Sequence, residues 1–156
     1  MVFEFKDFDH LSDGIIDLVI EAKGPADPKK DYAPAYHYKI TLHGSKEGIG
    51  TIRLRVGNNL SLLTSGHVGY GINPPHQGHH YAERACRLLQ QVARAHGMST
   101  LIITCDPENP ASRRTCERLG ATLTGIYDVP KDHDMYAKGR RKVCRYEWTL
   151  GTITDD

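Results

Sequence analysis

The first half of the chain carries hydrophobic residues in the spacing of β-strands. Short apolar and β-branched runs, or alternation with polar residues, predict four strands at residues 15–22, 36–42, 49–56 and 67–72. Residues 43–48 contain two glycines and a serine, so the second and third strands are expected to form a hairpin. Residues 23–35 contain three prolines and are predicted to be a loop.

The second half contains the clearest helix, predicted at residues 81–96. Six apolar residues there follow the i, i+3, i+4 spacing: Ala82, Ala85, Leu88, Leu89, Val92 and Ala93. A second helix is expected to begin with Asn109 as N-cap and Pro110 in its first turn, and to end at Gly120. Three more strands are predicted at residues 101–105, 122–127 and 141–150. This order of elements predicts an α/β (α+β) fold in which helices pack on a mixed sheet.

Composition is that of an ordinary soluble domain. The chain has 156 residues, of which 39% are hydrophobic and 25% charged, and one domain is expected over residues 1–156. The net charge of +1 argues against duplex DNA or an anionic membrane as partner. No apolar run approaches the ~20 residues of a membrane span, and residues 1–10 lack a signal-peptide stretch, which favours a cytoplasmic location. The four cysteines are too widely spaced for a CxxC signature and are expected to be reduced.

The turn between the strand at residues 67–72 and the first long helix is a candidate for chemistry. A glycine-containing turn at a helix N-terminus presents unpaired backbone N–H groups and the positive end of the helix dipole, so it can bind an anion. The alternative is a plain connection between strand and helix. The turn also holds His76, His79 and His80, but no carboxylate or thiolate stands beside them, and no metal site is predicted.

Together these elements resemble the GNAT superfamily of acetyl-CoA-dependent N-acetyltransferases. The phosphate loop of that family reads Gln or Arg, any, any, Gly, any, Gly or Ala, and Gln77 and Ala82 match its first and last positions. His80 stands where the family usually has glycine, and it is expected to hold a strained, left-handed backbone. Four residues match the second family signature: Asn109, Ser112, Leu119 and Gly120.

The resemblance covers residues 49–120 and implies both a fold and an activity. Residues 66–82 are most similar to the branch that acetylates ribosomal-protein N-termini, whose strand reads Glu-Ile-Gly-Tyr where residues 67–70 of this chain read His-Val-Gly-Tyr. The implied fold is a mixed, mostly antiparallel central sheet with flanking helices. The implied activity is transfer of an acetyl group from acetyl-CoA, as co-substrate and without a metal, to a primary amine that attacks the thioester directly.

The resemblance also implies which residues hold acetyl-CoA. Main-chain groups of three strand residues would pair with the pantetheine arm: Tyr70, Gly71 and Ile72. Backbone N–H groups of six residues would hold the pyrophosphate: Gln77, Gly78, His79, His80, Tyr81 and Ala82. Asn109 and Ser112, at the start of the second helix, would also contact the cofactor.

Two residues are candidates for proton transfer. His67 occupies the family's Glu position, and an imidazole that titrates near neutrality suits a general base. The alternative is a polar histidine at a strand edge. Cys116 stands where the family often has the Tyr that protonates the departing thiolate; the alternative is a small packing residue of a helix.

The acceptor is the least defined part of the reaction. The family normally places two helices after its first strand to shape the acceptor pocket, and residues 23–35 are too short and proline-rich for them. Several basic and aromatic residues are either solvated or packed, or else contact the acceptor or the 3′-phosphate of CoA: Arg113, Arg114, Lys138, Arg140, Arg141, Lys142, Tyr127 and Tyr136. A small molecule or a protein N-terminus would supply the amine, and a homodimer is compatible with the sequence. The alternative function is a catalytically silent acyl-CoA-binding or protein-interaction module on the same fold.

Overall fold

The computed structural model describes residues 3–151. In this part of the chain eight strands form one sheet: β1 (His10–Ser12), β2 (Ile16–Gly24), β3 (Ala35–Leu42), β4 (Gly48–Arg55), β5 (Val68–Ile72), β6 (Thr100–Cys105), β7 (Thr122–Asp128) and β8 (Lys142–Thr149). Four α-helices accompany them: α1 (Leu62–Ser65), α2 (Tyr81–Ala95), α3 (Pro110–Arg118) and α4 (Asp134–Ala137). None of the helices within residues 3–151 is long and apolar enough to cross a membrane.

The sheet is mixed and mostly antiparallel, as predicted. Its strand order is β1-β2-β3-β4-β5-β6-β8-β7. The pair β5 and β6 is parallel, and each of the other neighbouring pairs in the described chain is antiparallel. The parallel pair follows from the chain order, because β5 leads into α2, and the helix returns the chain to the start of β6.

The two parallel strands separate soon after they meet. Val68 of β5 is aligned with Ile103 of β6, and no later residues of these two strands are paired in the described chain. β5 stays bound to β4 as far as Ile72, and β6 stays bound to β8 as far as Cys105. A gap therefore opens between β5 and β6 toward their C-terminal ends.

The two faces of the sheet differ in what covers them. α2 and α3 pack on one face, where α2 buries Ala85, Leu89 and Val92 completely. α1 lies on the other face near β6 and β8, because the Thr104 hydroxyl donates to the Thr64 carbonyl at 2.8 Å. Residues 25–34, all within the described range, form a loop with one short 3-10 turn at Pro28–Lys30 instead of a helix pair. The second face therefore carries no helix pair over β3, β4 and β5, and α1 reaches it only at the end of β4, where Arg55 donates to the Ser65 carbonyl.

Most of the predicted elements are present with small shifts at their ends. The predicted hairpin is formed by β3 and β4, and the two predicted helices are α2 and α3. β2 runs two residues further than predicted. The sequence pattern did not predict β1, α1 and α4, because elements of three or four residues are too short to show a hydrophobic periodicity.

One glycine allows β4 and β5 to pair beside the gap. A Cβ atom at Gly50 would lie 2.3 Å from the Gly71 carbonyl oxygen and 3.1 Å from the Ile72 Cα atom. Both contacts are with backbone, so neither can be relieved by a side-chain rotation. A Cβ atom at Gly71, by contrast, meets no atom within 4 Å.

We expect Gly50→Ala to lower the free energy of unfolding by about 1–3 kcal/mol, because the added methyl forces β5 away from β4. Gly71→Ala is the matched control on the partner strand, and we expect it to leave stability unchanged or slightly raised, since Gly costs backbone entropy in a strand. Urea unfolding of both variants checks the prediction. Equal stabilities of the two variants would contradict it.

Candidate functional site

The gap between β5 and β6 is lined at its mouth by two helix N-termini. α2 follows β5 and α3 follows β6, so both helices begin at the edge of the sheet where the gap is widest. Helix N-termini carry unpaired N–H groups and a partial positive charge. The mouth of the gap therefore favours a negatively charged group.

The loop before α2 has the backbone shape of an anion-binding turn. Gly78 and His80 both hold left-handed backbone angles, with φ of +90° and +62°. The strained conformation expected for His80 is thus present. Gln77 anchors the loop, because its side-chain amide donates to the Ile72 carbonyl at 2.9 Å. Within residues 3–151, no hydrogen-bond acceptor is recorded for the N–H groups of residues 78–82.

The start of α3 is fixed by its cap and connected to β5. The Asn109 side chain accepts a hydrogen bond from the Ser112 N–H at 3.1 Å, which makes Asn109 the predicted N-cap. The Tyr70 and Ser112 hydroxyls lie 2.7 Å apart. Tyr70 therefore extends from β5 to α3 on the helix-covered side of the gap. Burial raises the pKa of Tyr70, so its phenol is protonated at neutral pH.

Cys116 lies in the hydrophobic core rather than on a surface of the gap. Its side chain is fully buried, and it belongs to a group of four buried free cysteines: Cys86, Cys105, Cys116 and Cys144. Hydrogen bonding with Cys105, together with burial, raises the pKa of the Cys116 thiol. Of the two interpretations of Cys116, this environment supports the packing residue.

His67 is engaged through both ring nitrogens. Nδ1 accepts a hydrogen bond from the Ile102 N–H at 2.8 Å, so Nδ1 is unprotonated. Nε2 must then carry the proton, which it donates to the Gly57 carbonyl at 2.9 Å. Burial lowers the pKa of His67, and the positive charge of Arg55 lowers it further. The hydrogen bond to Gly57 acts in the opposite direction but is outweighed, so the ring stays neutral.

This geometry does not fit the expected role of His67 as general base. The side chain is only 5% exposed, and neither nitrogen is free to take a proton from an amine. The ring instead ties β6 to the turn after β4, at the closed end of the gap. The sequence could not reveal these hydrogen bonds, because the partners of the ring lie 10 and 35 residues away along the chain.

Most of the other candidate residues contact side chains away from the β5 side of the gap. No group of three or more His, Cys, Asp or Glu side chains in residues 3–151 is arranged to hold a metal ion. Six of the basic and aromatic candidates take part in five contacts: Arg113 with the Tyr146 hydroxyl, Arg140 with Asp106, Arg141 over Tyr136, Lys142 with Asp128, and Tyr127 under Arg145. Lys138 and Arg114 are exposed. None of these contacts brings the side chains to the β5 side of the gap.

One residue beside the gap was missed by sequence reasoning. Arg53 lies on β4 opposite Gly69 of β5, on the face of the sheet opposite α2 and α3. Its alternation with the buried Ile52 and Leu54 already pointed it away from the core. The sequence offered no signal that it lies beside the gap, because that depends on strand register.

Sequence comparison identifies a family for this arrangement. Residues 16–122 match the family model described as an acetyltransferase (GNAT) domain. A search of curated proteins gives no significant match. Among solved structures, an acetyltransferase (GNAT family) from Bacillus anthracis is 21% identical with a TM-score of 0.56, over 72% of this chain and 65% of that chain.

Two further structures share the fold. RimJ from Mycobacterium smegmatis, solved in complex with CoA-disulfide, is 22% identical with a TM-score of 0.57, over 74% of this chain and 53% of that chain. An acetyl transferase from Salmonella typhimurium, described as modifying the N-terminal serine of a 50S ribosomal subunit protein, is 20% identical with a TM-score of 0.56, over 79% of this chain and 67% of that chain. The present chain thus spans between about half and two thirds of the length of these three proteins.

We expect His67→Gln to lower the free energy of unfolding at pH 7.5 by about 1–3 kcal/mol, because it disturbs buried hydrogen bonds. The pKa of His67 is lower in the folded protein than its ordinary value near ~6.5. The stability that the neutral His67 ring adds is therefore complete above the ordinary pKa and is lost as the pH falls through the pKa of the folded state. The difference in stability between wild type and variant should shrink at acidic pH.

Urea unfolding between pH 5 and 8 measures this difference. A difference that stays constant with pH would contradict the neutral, doubly bonded ring. Loss of an acidic limb in the pH profile of turnover, with stability unchanged, would instead restore His67 as a base.

Proposed function

This chain belongs to the GNAT acetyltransferase family, and from that premise we propose that it moves an acetyl group from acetyl-CoA to a primary amine. The observation that carries the proposal is the gap between β5 and β6, with the N-termini of α2 and α3 at its mouth. A thioester cofactor needs a slot for an extended arm and a site for its phosphates. The gap and the α2 loop supply both.

The unpaired edge of β5 suits the pantetheine arm. Beyond Val68, the side of β5 that faces β6 has no strand partner in the described chain, while the other side is bound to β4. The amide groups of pantetheine can pair with the main chain of residues 70–72, as an added strand would. Gly71 leaves space there, since no atom lies within 4 Å of its Cβ position.

The loop at residues 77–82 suits the pyrophosphate. The N–H groups of residues 78–82 are unpaired in the described chain, residues 78–80 are exposed, and the dipole of α2 favours a negative charge at this end. Asn109 and Ser112 stand at the start of α3 on the other side of the mouth. The structure of RimJ with CoA-disulfide supports a CoA group as the ligand of this fold.

The chemistry requires few side chains. The free amine attacks the thioester carbonyl, a C–N bond forms and the C–S bond breaks. The amine proton passes to water, and the CoA thiolate takes up a proton from a donor. Since His67 has no free nitrogen, the amine enters as its own free base, and the protein contributes position and backbone donors.

Tyr70 is the better placed donor for the thiolate. Its phenol is protonated and sits between β5 and the first turn of α3, whereas the Cys116 thiol is fully buried. We expect Tyr70→Phe to lower kcat about 100-fold or more with acetyl-CoA affinity nearly unchanged, the size of a general-acid contribution. Cys116→Ala is the matched control in α3, and we expect it to cost stability but little turnover. Steady-state kinetics of both variants, with acetyl-CoA titrated by calorimetry, check this; loss of turnover in Cys116→Ala alone would return the role to Cys116.

The proposed acceptor is an α-amine. The relative from Salmonella typhimurium modifies an N-terminal serine, and a loop in place of the acceptor-side helix pair leaves the second face of this sheet open to a small molecule or a chain end. A free amine reaches the thioester from this face, because α2 and α3 cover the other.

We expect millimolar acetyl-CoA to raise the melting temperature of the protein and CoA to be released when an amine is added. A ligand that binds only the folded state stabilises it by about 2.7 kcal/mol at a hundredfold excess over its Kd. Thermal shift tests binding, and thiol release with a panel of amines, peptides and polyamines tests transfer. Binding without release with every acceptor would support the silent acyl-CoA-binding module instead, and absence of both would refute the proposal.

A further inference from the structure

Arg53 places a guanidinium group at the start of the gap. Its register partner on β5 is Gly69, the residue directly after the last one aligned with β6. A Cβ atom at Gly69 would lie 3.0 Å from Arg53 Nη2 and 3.3 Å from Nε. The guanidinium therefore lies over the Gly69 backbone, in the space that a side chain would fill.

Arg53 has no counter-ion in the described chain. No carboxylate of residues 3–151 lies within salt-bridge distance of it, and its Nε atom is buried without a hydrogen-bond partner. Arg55, its neighbour on the same face, differs because it donates to the carbonyls of Ser65 and Gly66. A half-buried cation without a partner is costly, and the cost falls when an anion binds.

The residues around Arg53 include a second arginine, a neutral histidine and no carboxylate on its own or the next strand. His37 on β3 is its other register partner. Burial lowers the pKa of His37, as do Arg53 and Arg55, so this ring is neutral at neutral pH and can donate a hydrogen bond. Burial also lowers the pKa of Arg55, to about 10, so Arg55 remains cationic at neutral pH. Burial lowers the pKa of Arg53 as well. The sequence has no Asp or Glu between residues 48 and 82.

We propose that the acceptor carries a carboxylate close to its amine and that Arg53 binds this carboxylate. The inference rests on the proposed function, because it places the acceptor beside the thioester on the face opposite α2 and α3. An amine that attacks at the gap would hold a carboxylate on a neighbouring carbon within reach of the guanidinium over Gly69. The planar fork of arginine matches a carboxylate with two parallel hydrogen bonds. A free amino acid and a peptide with an acidic residue near its N-terminus share this chemistry.

Matched acceptor pairs test the requirement for a carboxylate. Alanine and alaninamide differ in the α-carboxylate alone, and the peptide amides Ala-Glu-Ala and Ala-Gln-Ala differ in one side chain. With rates corrected for the free-base fraction of each amine, we expect kcat/KM to be about 10- to 100-fold higher for the acidic member of at least one pair. The pair that shows the preference identifies the source of the carboxylate.

Variants of Arg53 test the residue itself. We expect Arg53→Gln to remove the preference, mainly through KM for the acidic acceptor, and Arg53→Lys to keep part of it because charge remains but the fork is lost. Lys39→Gln is the control, since Lys39 is a half-buried cation on the same face that extends toward the Lys46 carbonyl, and it should keep the full preference. Gly69→Ala is a second route to the same result: it displaces the guanidinium without removing it, and the backbone of Gly69 is not left-handed.

Product binding separates this inference from the proposed function. N-acetylalanine and N-acetylalaninamide are titrated by calorimetry into CoA-loaded wild type and Arg53→Gln. Tighter binding of N-acetylalanine that depends on Arg53 supports the carboxylate site even without turnover. Equal use of acidic and neutral acceptors in both pairs, or a preference that survives in Arg53→Gln and Gly69→Ala, would overturn the inference while leaving acetyl transfer intact. Absence of turnover together with no Arg53-dependent binding would overturn both.

Discussion

The separation of β5 from β6 is the constraint on which the site depends. The two strands are held together at one end by the Val68 and Ile103 alignment and by His67, whose ring bonds to Ile102 on one side and Gly57 on the other. Beyond that point each strand relies on its outer neighbour, β4 or β8. The gap is therefore stable without a ligand because each strand is held by its outer neighbour, and the edges that face the gap are unpaired in the described chain.

Glycines decide how close the backbones around the gap can come. Gly50 lets β4 pass within contact distance of the Gly71 carbonyl, which keeps β5 on the β4 side of the gap. The Arg53 guanidinium occupies the space that a side chain at Gly69 would fill, and the corresponding space at Gly71 is open. Side chains at positions 69 and 71 would fill the face from which the proposed acceptor would approach.

Charge at the site is divided between its two ends. The mouth is positive through helix N-termini and N–H groups, which suits phosphates. His67 at the closed end is neutral, and the pKa values of Tyr70, which reaches the start of α3, and of Cys116 in the core are raised, so these groups carry no charge at neutral pH. Arg53 supplies a positive charge between these regions. Under the proposed function, this arrangement would offer two sites to anions, and the amine would attack as its own free base.

Features that depend on neighbouring residues in the chain were predictable from the sequence. The α2 periodicity, the Asn109 cap, the β3 and β4 hairpin and the left-handed His80 each arise within a few residues, and the loop motif pointed to a phosphate site. The environments of His67, Cys116 and Arg53 were decided by the tertiary structure. The ring of His67 finds its partner 35 residues away, Cys116 is buried by elements from three parts of the chain, and Arg53 reaches the gap only through the register of β4 on β5. Residue type indicates what a side chain can do, but its protonation, exposure and partners depend on which distant segments pack around it.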